Sequence, residues 1–66
     1  MKNNIKVERA IKSITQEELA RAVDVSRQTI NAIESGKYVP STILSLKIGR
    51  VFKKAVEEIF ILESGD

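Results

Sequence analysis

Two helix-start signals lie eleven residues apart in the first half of the chain. Residues 15–18 read Thr-Gln-Glu-Glu, a capping box in which the Thr15 hydroxyl can accept from the Glu18 amide while the Glu18 carboxylate reaches back to the Thr15 amide. After a short break at residues 24–26, Ser26 is a good N-cap for another helix. The spacing therefore predicts two short helices that meet across a three-residue turn.

Apolar residues recur at spacings of three and four along the chain, which is the period of an amphipathic helix. A first helix is predicted from about Asn4 to Ser13, with an apolar stripe of Val7, Ala10, Ile11 and Ile14. The apolar positions predicted for the other four helices are Leu19, Ala20 and Val23, then Ile30 and Ile33, then Leu44, Ile48, Val51 and Phe52, and last Val56, Ile59 and Phe60. The pattern predicts an all-α fold of five helices in a single domain over residues 1–66, unless residues 59–62 finish as a short strand.

Glycine, proline and serine mark the boundary in the middle of this pattern. Gly36 is placed to end the third helix near Ser35 in the left-handed conformation. Pro40 follows in the loop, and Ser41 can cap the fourth helix. The loop at residues 36–40 is thus predicted to divide the chain.

The composition argues against an enzyme. The 66 residues include no histidine, no cysteine and only three aromatic side chains, so the usual general base and the thiolate metal ligands are missing. The adjacent acids at 17–18 and 57–58 diverge by about 100° on a helix and cannot converge on one substrate bond. No catalysis, metal or cofactor is expected.

Two further compositional features concern location and partners. The longest apolar run, residues 59–62, is far shorter than a membrane span, and the N-terminus lacks a secretory signal, so a soluble cytoplasmic protein is expected. Residues 1–54 carry a net charge of +6, whereas residues 55–66 carry −4. This asymmetry is typical of a body that binds a polyanion, although a solvated surface with scattered lysines would look similar.

A helix, a tight turn and a second helix of this length form a helix-turn-helix, which needs small and apolar residues where the helices cross. Those positions hold Ala20, Val25, Ile30 and Ile33. Residues 15–38, TQEELARAVDVSRQTINAIESGKY, resemble the Cro/C1-type helix-turn-helix of the Xre family of transcriptional regulators, and the flanks extend the resemblance over about residues 4–60. It implies a compact five-helix lambda repressor-like DNA-binding domain with its helix-turn-helix at 16–35.

The chain departs from the family pattern at three positions. Asp24 stands where the turn commonly has glycine, and Asp is among the few other residues that tolerate the left-handed region. Gly49 stands where alanine is usual, which predicts a cost of about 1 kcal/mol or a close contact. Lys53 replaces a helix-ending glycine, so helices four and five are expected to join differently.

The third helix has the chemistry to read bases. With Ile30 and Ile33 buried, Gln28, Asn31 and Ala32 point outward and Arg27 lies at the first turn. Arginine binds guanine, glutamine and asparagine bind adenine, and an alanine methyl can touch thymine. The predicted base contacts are therefore Arg27, Gln28, Asn31 and Ala32, although on an arbitrary helix such polar residues would simply be solvated.

Other positions are expected to contact the DNA backbone or to hold the reading helix. The resemblance implies that Gln16 touches phosphate and braces the third helix, and that Arg9 pairs with Glu34. The predicted DNA-backbone contacts are Gln16, Thr29, Lys37, Tyr38 and Ser41. For Lys37 and Tyr38, an ordinary surface position is an equal alternative.

The sequence thus predicts a sequence-specific double-stranded DNA-binding regulator, a repressor that binds a palindromic operator as a homodimer. Segment 57–62 is the expected dimerisation tail, through Ile59, Ile61 and Leu62, unless Ile59 closes the monomer core instead. Two other functions stay open: an antitoxin-like module that docks on an unidentified protein partner, and an adaptor that binds RNA or chromatin without sequence choice.

Overall fold

The computed structural model describes all 66 residues and contains five helices and two very short strands. In chain order the elements are β1 (Lys2–Asn3), α1 (Ile5–Lys12), α2 (Gln16–Ala22), α3 (Arg27–Glu34), α4 (Thr42–Phe52), α5 (Val56–Ile59) and β2 (Phe60–Ile61). The predicted helical fold with a short C-terminal strand is confirmed. No helix is long and apolar enough to span a membrane.

Side-chain caps start the three middle helices where the sequence predicts them. The Thr15 and Glu18 capping box is complete, with both of its hydrogen bonds at 2.9 and 3.0 Å. The Ser26 hydroxyl accepts from the Thr29 amide, and the Ser41 hydroxyl accepts from the Leu44 amide. These bonds satisfy amide groups that a helix start would otherwise leave without a partner.

Each of the helices α1 to α4 is followed within two residues by a residue with left-handed backbone, and only one of these residues is glycine. The four residues are Ser13, Asp24, Gly36 and Lys53, with φ between 56° and 78°. In each case the next residue donates its amide to a carbonyl five residues back, as in a Schellman motif. Asp24 and Lys53 therefore keep the backbone geometry for which glycine is usual.

Gly49 lies at the close approach between α4 and the loop that follows it. A Cβ atom there would stand 2.8 Å from the Lys54 carbonyl oxygen, closer than real Cβ contacts. The glycine in the middle of α4 is thus explained by a contact with the chain that turns back toward α5.

The core is aliphatic apart from Phe52 and Phe60. Its fully buried members come from every helix and include Ile5, Leu19, Ile30, Ile48 and Ile59. The remaining buried apolar residues are Ala20, Val23, Ile33, Leu44, Phe52 and Phe60. The core therefore lies between the helix-turn-helix and the α4–α5 pair and fixes one against the other.

Helix α1 lies within one residue of the predicted bounds at each end but turns the opposite face inward. Val7 and Ile11 of the predicted inner stripe are 56% and 71% exposed. The inward face instead carries Ile5 and the acidic Glu8, whose carboxylate accepts from the Lys54 ammonium at 2.8 Å. The predicted inner face is wrong because the buried Glu8 carboxylate, paired with a half-exposed lysine 46 positions away, turns the other side of the helix inward.

Strands β1 and β2 pair antiparallel and hold the two ends of the chain together. Lys2 faces Ile61 and Asn3 faces Phe60. The Asn4 amide also donates to the Ile59 carbonyl at 2.8 Å, and the Asn3 side-chain amide donates to the Ile33 carbonyl at the end of α3. The sheet thereby ties the first residues to the recognition half of the molecule.

Candidate nucleic-acid interface

The α2–α3 unit packs through the small and apolar positions expected of a helix-turn-helix. Ala20 of α2 is buried in the core, and Val25 in the turn packs partly buried against it. Ile30 and Ile33 anchor α3 from below and are almost completely buried. Because this side of α3 is fixed in the core, the opposite side of the helix faces solvent.

The solvent side of α3 carries the four predicted base-reading residues. Arg27, Gln28 and Asn31 are exposed, and Ala32 is half-buried beside them. A shallow groove of about 380 Å³ runs along Gln28 and Ala32 and reaches Tyr38 beyond the helix. The face thus offers donors, acceptors and a methyl group, which are the groups that distinguish bases in the major groove.

Gln16, the first residue of α2, is bound to α3 rather than free. Its side-chain nitrogen donates to the Asn31 side-chain oxygen and to a Glu34 carboxylate oxygen, each at 3.2 Å. The Gln16 side-chain oxygen and the Asn31 side-chain nitrogen remain available for other partners. Gln16 therefore connects the start of α2 to the reading face of α3 through Asn31.

Arg9 and Glu34 form a bidentate ion pair that joins α1 to the end of α3. The Arg9 Nε and Nη2 atoms donate to the two Glu34 carboxylate oxygens at 2.6 and 3.1 Å, and Nη1 donates to the Ile14 carbonyl. The two side chains are only 15% and 7% exposed. Hydrogen bonds to Glu34 raise the pKa of the Arg9 guanidinium above its ordinary value, against the opposing effect of burial.

A cleft of about 500 Å³ opens at the start of α2 beside this ion pair. Arg27 lines it from α3, while Thr15 and Gln16 line it from α2. The Arg9 guanidinium also lines the cleft, but Glu34 neutralises its charge. Glu17 lines the cleft as well and lies 4.0 Å from Arg21, so Arg27 is the lining cation without an ion-pair partner.

The predicted DNA-backbone contacts flank the reading face on its other side. Lys37, Tyr38 and Ser41 are exposed, and Thr29 is half-buried with its hydroxyl 3.0 Å from that of Ser26. Tyr38 lines both the groove along α3 and a second one toward α4 that includes Ser41 and Lys47. These side chains form a polar rim between the two helices.

The three predicted dimer residues do not share one environment. Ile59 is fully buried in the monomer core, whereas Ile61 and Leu62 are 42% and 77% exposed. Ile59 is therefore wrong as an interface residue, because its side chain has no surface to offer a second chain. Its burial is the alternative that the sequence left open.

Sequence reasoning missed two features of the surface and core around this site. One is the Glu8–Lys54 pair on the inner side of α1, and the other is the exposure of Val39, Ile43 and Leu46 near the start of α4. The only local signal for the first is that Glu8 lies one turn after Ile5.

No group of three or more acidic side chains that could hold a metal ion occurs in the chain.

The fold and this surface together define a helix-turn-helix protein. A family model described as "Helix-turn-helix" matches residues 5–59, from α1 to the end of α5. The chain belongs to this Cro/C1-type helix-turn-helix family, whose domains are DNA-binding domains of transcription regulators.

Similar proteins occur in archaea and in bacteria. An uncharacterized HTH-type transcriptional regulator of Methanocaldococcus jannaschii is 52% identical over 66 residues, which cover both chains completely. The uncharacterized HTH-type transcriptional regulator YgzD of Bacillus subtilis is 49% identical over 63 residues, 96% of each chain. A further regulator so named, from Archaeoglobus fulgidus, is 51% identical over 96% of this chain and 89% of its own.

Proposed function

We propose that this protein is a repressor that binds a palindromic double-stranded DNA operator as a homodimer and reads it with α3. The observation that carries the proposal is the outer face of α3, where Arg27, Gln28 and Asn31 stand exposed on a helix anchored in the core by Ile30 and Ile33. A helix of this kind fits the major groove, and each good bidentate base contact is worth about 1–3 kcal/mol of discrimination.

The bracing of α3 supports direct reading of the sequence. Asn31 is held by Gln16, and Glu34 at the end of the helix is held by both Gln16 and Arg9. Side chains fixed before binding lose less conformational entropy on the DNA than mobile ones do. In this proposal Arg27, Gln28, Asn31 and Ala32 contact base edges.

The rim residues set the register in the proposed complex. The Gln16 side-chain nitrogen already donates to α3, and its free oxygen is an acceptor, as a phosphate oxygen is, so the two can meet only through a water molecule. The direct phosphate contact of Gln16 is therefore made by the backbone amides at the start of α2. Thr29, Lys37, Tyr38 and Ser41 contact the backbone on the other flank. Such contacts position the protein and carry no sequence information themselves.

A homodimer follows from the size of the reading surface. One short helix contacts too few base pairs for useful specificity, whereas a two-fold pair reads half-sites about 34 Å apart. Occupation of the operator, with no chemical step, then blocks transcription. A cytoplasmic location is part of the proposal, since archaea and bacteria such as those that contain the relatives keep their DNA there.

The test is selection of bound sequences from a random duplex pool at near-physiological salt. The wild-type protein should enrich a two-fold symmetric site, and Gln28→Ala should relax one position in each half-site. Glu57→Ala, which alters an exposed helical side chain in α5, should enrich the wild-type site unchanged. Failure of the folded wild-type protein to enrich any sequence would refute the proposal.

A second candidate is an antitoxin-like module that docks on another protein. It is favoured by the exposed apolar side chains of α1 and of the C-terminal end, Val7, Ile11 and Leu62.

The third alternative is an adaptor that binds RNA or chromatin without sequence choice. It would be favoured if the selection enriches no sequence and binding is equal for all duplexes and falls steeply with salt.

A further inference from the structure

Exposed apolar side chains are concentrated at the start of α4. The structure exposes eight large hydrophobic residues, and four of them lie within residues 38–46. Val39, Ile43 and Leu46 are each more than half exposed. In α4 the positions of Ile43 and Leu46 are about 60° apart around the helix axis, so they share one face.

The same segment carries no charge. Tyr38 to Leu46 is a run of nine uncharged residues in a chain of which 30% is charged, and it is bounded by Lys37 and Lys47. Depletion of charged residues is the compositional mark of the central part of a protein interface. An ordinary solvated helix face carries charged side chains. The exposed, uncharged start of α4 therefore has the composition of an interface.

A groove beside Leu46 adds shape to this composition. It has a volume of about 370 Å³, and its apolar lining includes Val39, Leu46, Val56 and Phe60. We call the surface formed by Val39, Ile43 and Leu46 with this groove the α4 apolar surface. Protruding side chains and a depression thus lie next to each other on one face.

We propose that the α4 apolar surface is the dimer interface, and that a second copy of this chain docks on it about a two-fold axis. The inference rests on the proposed function, in that the dimer serves a palindromic site. An interface of this symmetry brings the same patch of both copies together, so each must offer both a protrusion and a recess. The α4 apolar surface has both.

Shape favours this surface over the other exposed apolar residues. Val7, Ile11 and Leu62 line no groove of the molecule, so each offers a protrusion without a recess beside it. The centre of the α4 apolar surface is uncharged, and Lys37, Lys47 and Arg50 lie around it. A second copy therefore meets an uncharged centre, with like charges only at its edge.

The dimensions of the molecule are compatible with direct contact between two copies bound to one operator. One copy measures 31 × 22 × 20 Å, so two copies in contact place their centres roughly one such dimension apart. For half-sites about 34 Å apart, each recognition helix must then lie slightly farther from the two-fold axis than the centre of its own copy. Tyr38 and Ser41 belong to both the uncharged run and the proposed DNA rim, so the interface continues into the DNA-binding surface.

The experiment compares Leu46→Gln with the control Ile11→Gln. Both replace an exposed helical aliphatic residue by an uncharged side chain, so neither adds repulsion toward DNA. Sedimentation equilibrium gives the dimer Kd, circular dichroism confirms folding, and titration of single and paired half-sites gives DNA affinity. Leu46→Gln should raise the dimer Kd by about tenfold or more, while Ile11→Gln leaves it unchanged.

The DNA titration separates failure of this inference from failure of the proposed function. Leu46→Gln should bind an isolated half-site as the wild type does and lose only the advantage of the paired site. A dimer that tolerates Leu46→Gln and Val39→Gln, or a wild-type protein that binds a selected site as a monomer, overturns the interface and leaves sequence reading in place. If Leu46→Gln abolishes the dimer and the dimeric wild-type protein selects no sequence, the interface is supported and the operator function is refuted.

Discussion

Helices α1 and α3 are both eight residues long and amphipathic, yet they face the core in opposite ways. Helix α3 buries Ile30 and Ile33 and exposes its polar residues. Helix α1 buries Ile5 and Glu8, keeps Arg9 largely covered and exposes Val7 and Ile11. Apolar periodicity therefore predicts both helices but identifies the inner face of only one.

The difference follows from what each inner face meets. Under α3 lies the aliphatic core, where burial of one such side chain stabilises by about 1.5–3 kcal/mol. Glu8 and Arg9 on α1 meet Lys54 and Glu34, so each buried charge is paired. Charged groups can occupy an inner face when partners are in place, since it is the unpaired charge that is costly.

The largest expected effect comes from the same substitution made in both helices. Ile33→Ala opens a cavity under α3 and should lower the free energy of unfolding by about 2–5 kcal/mol. Ile11→Ala removes a side chain that is 71% exposed and should change it by less than about 0.5 kcal/mol. Urea unfolding at one protein concentration measures both. Equal losses of stability in the two variants would contradict the burial of Ile33 and the exposure of Ile11.

A second comparison concerns a covered ion pair and an exposed one. Arg9→Ala leaves the Glu34 carboxylate, 7% exposed, without its charge partner and should cost about 1–3 kcal/mol of stability. Glu17→Ala breaks a pair with Arg21 that is 4.0 Å long and largely exposed, which should cost about 0–0.5 kcal/mol. The double variant Arg9→Met with Glu34→Leu should recover part of the loss. A double variant that is less stable than Arg9→Ala would contradict this account.

Local signals explain how much of the fold is predictable from sequence. The helix starts at Thr15, Ser26 and Ser41 depend on residues within three positions of each other, and they were predicted correctly. The inner face of α1 depends on Lys54, which is 46 positions from Glu8, and on Glu34, which is 25 positions from Arg9 and whose pairing only the family resemblance implied. Strand β1 depends on pairing with residues 60–61 at the other end of the chain. No local pattern contains such distant contacts.

In the candidate site, too, some features follow from local sequence and others depend on contacts between distant residues. The outward direction of Gln28 and Asn31 follows from the helical period once Ile30 and Ile33 are assigned to the core. The hydrogen bond from Gln16 to Asn31 crosses between helices, and the burial of Ile59 depends on where α5 packs. The exposed apolar residues at the start of α4 also need the structure, because a leucine in a helix is more often buried than not.

The Glu8–Lys54 pair predicts a pH dependence that α3 does not share. Hydrogen bonding to Glu8 raises the pKa of Lys54 above its ordinary value of 10.5. A raised pKa in the folded state stabilises fully below the unfolded value and is lost as pH rises through the folded one. Lys54→Met should lower Tm by a few degrees at neutral pH, and its difference from wild type should shrink above about pH 10.5. A difference that stays constant up to pH 12 would show that Lys54 does not act through its charge.

The smallest expected effects lie at the ends of the two helices. Ser13 ends α1 and Gly36 follows α3, both with left-handed backbone, at φ 60° and 78°. Ser13→Gly removes the strain of a side chain in this region but gives the unfolded chain more freedom, so a gain of about 0.5 kcal/mol is expected. Gly36→Ala should cost about 1 kcal/mol through backbone strain alone, because nothing lies within 4 Å of the added Cβ. Urea unfolding of both variants should give changes in the free energy of unfolding of opposite sign. A loss of stability in Ser13→Gly would mean that the Ser13 hydroxyl stabilises the end of α1 by more than the backbone strain costs.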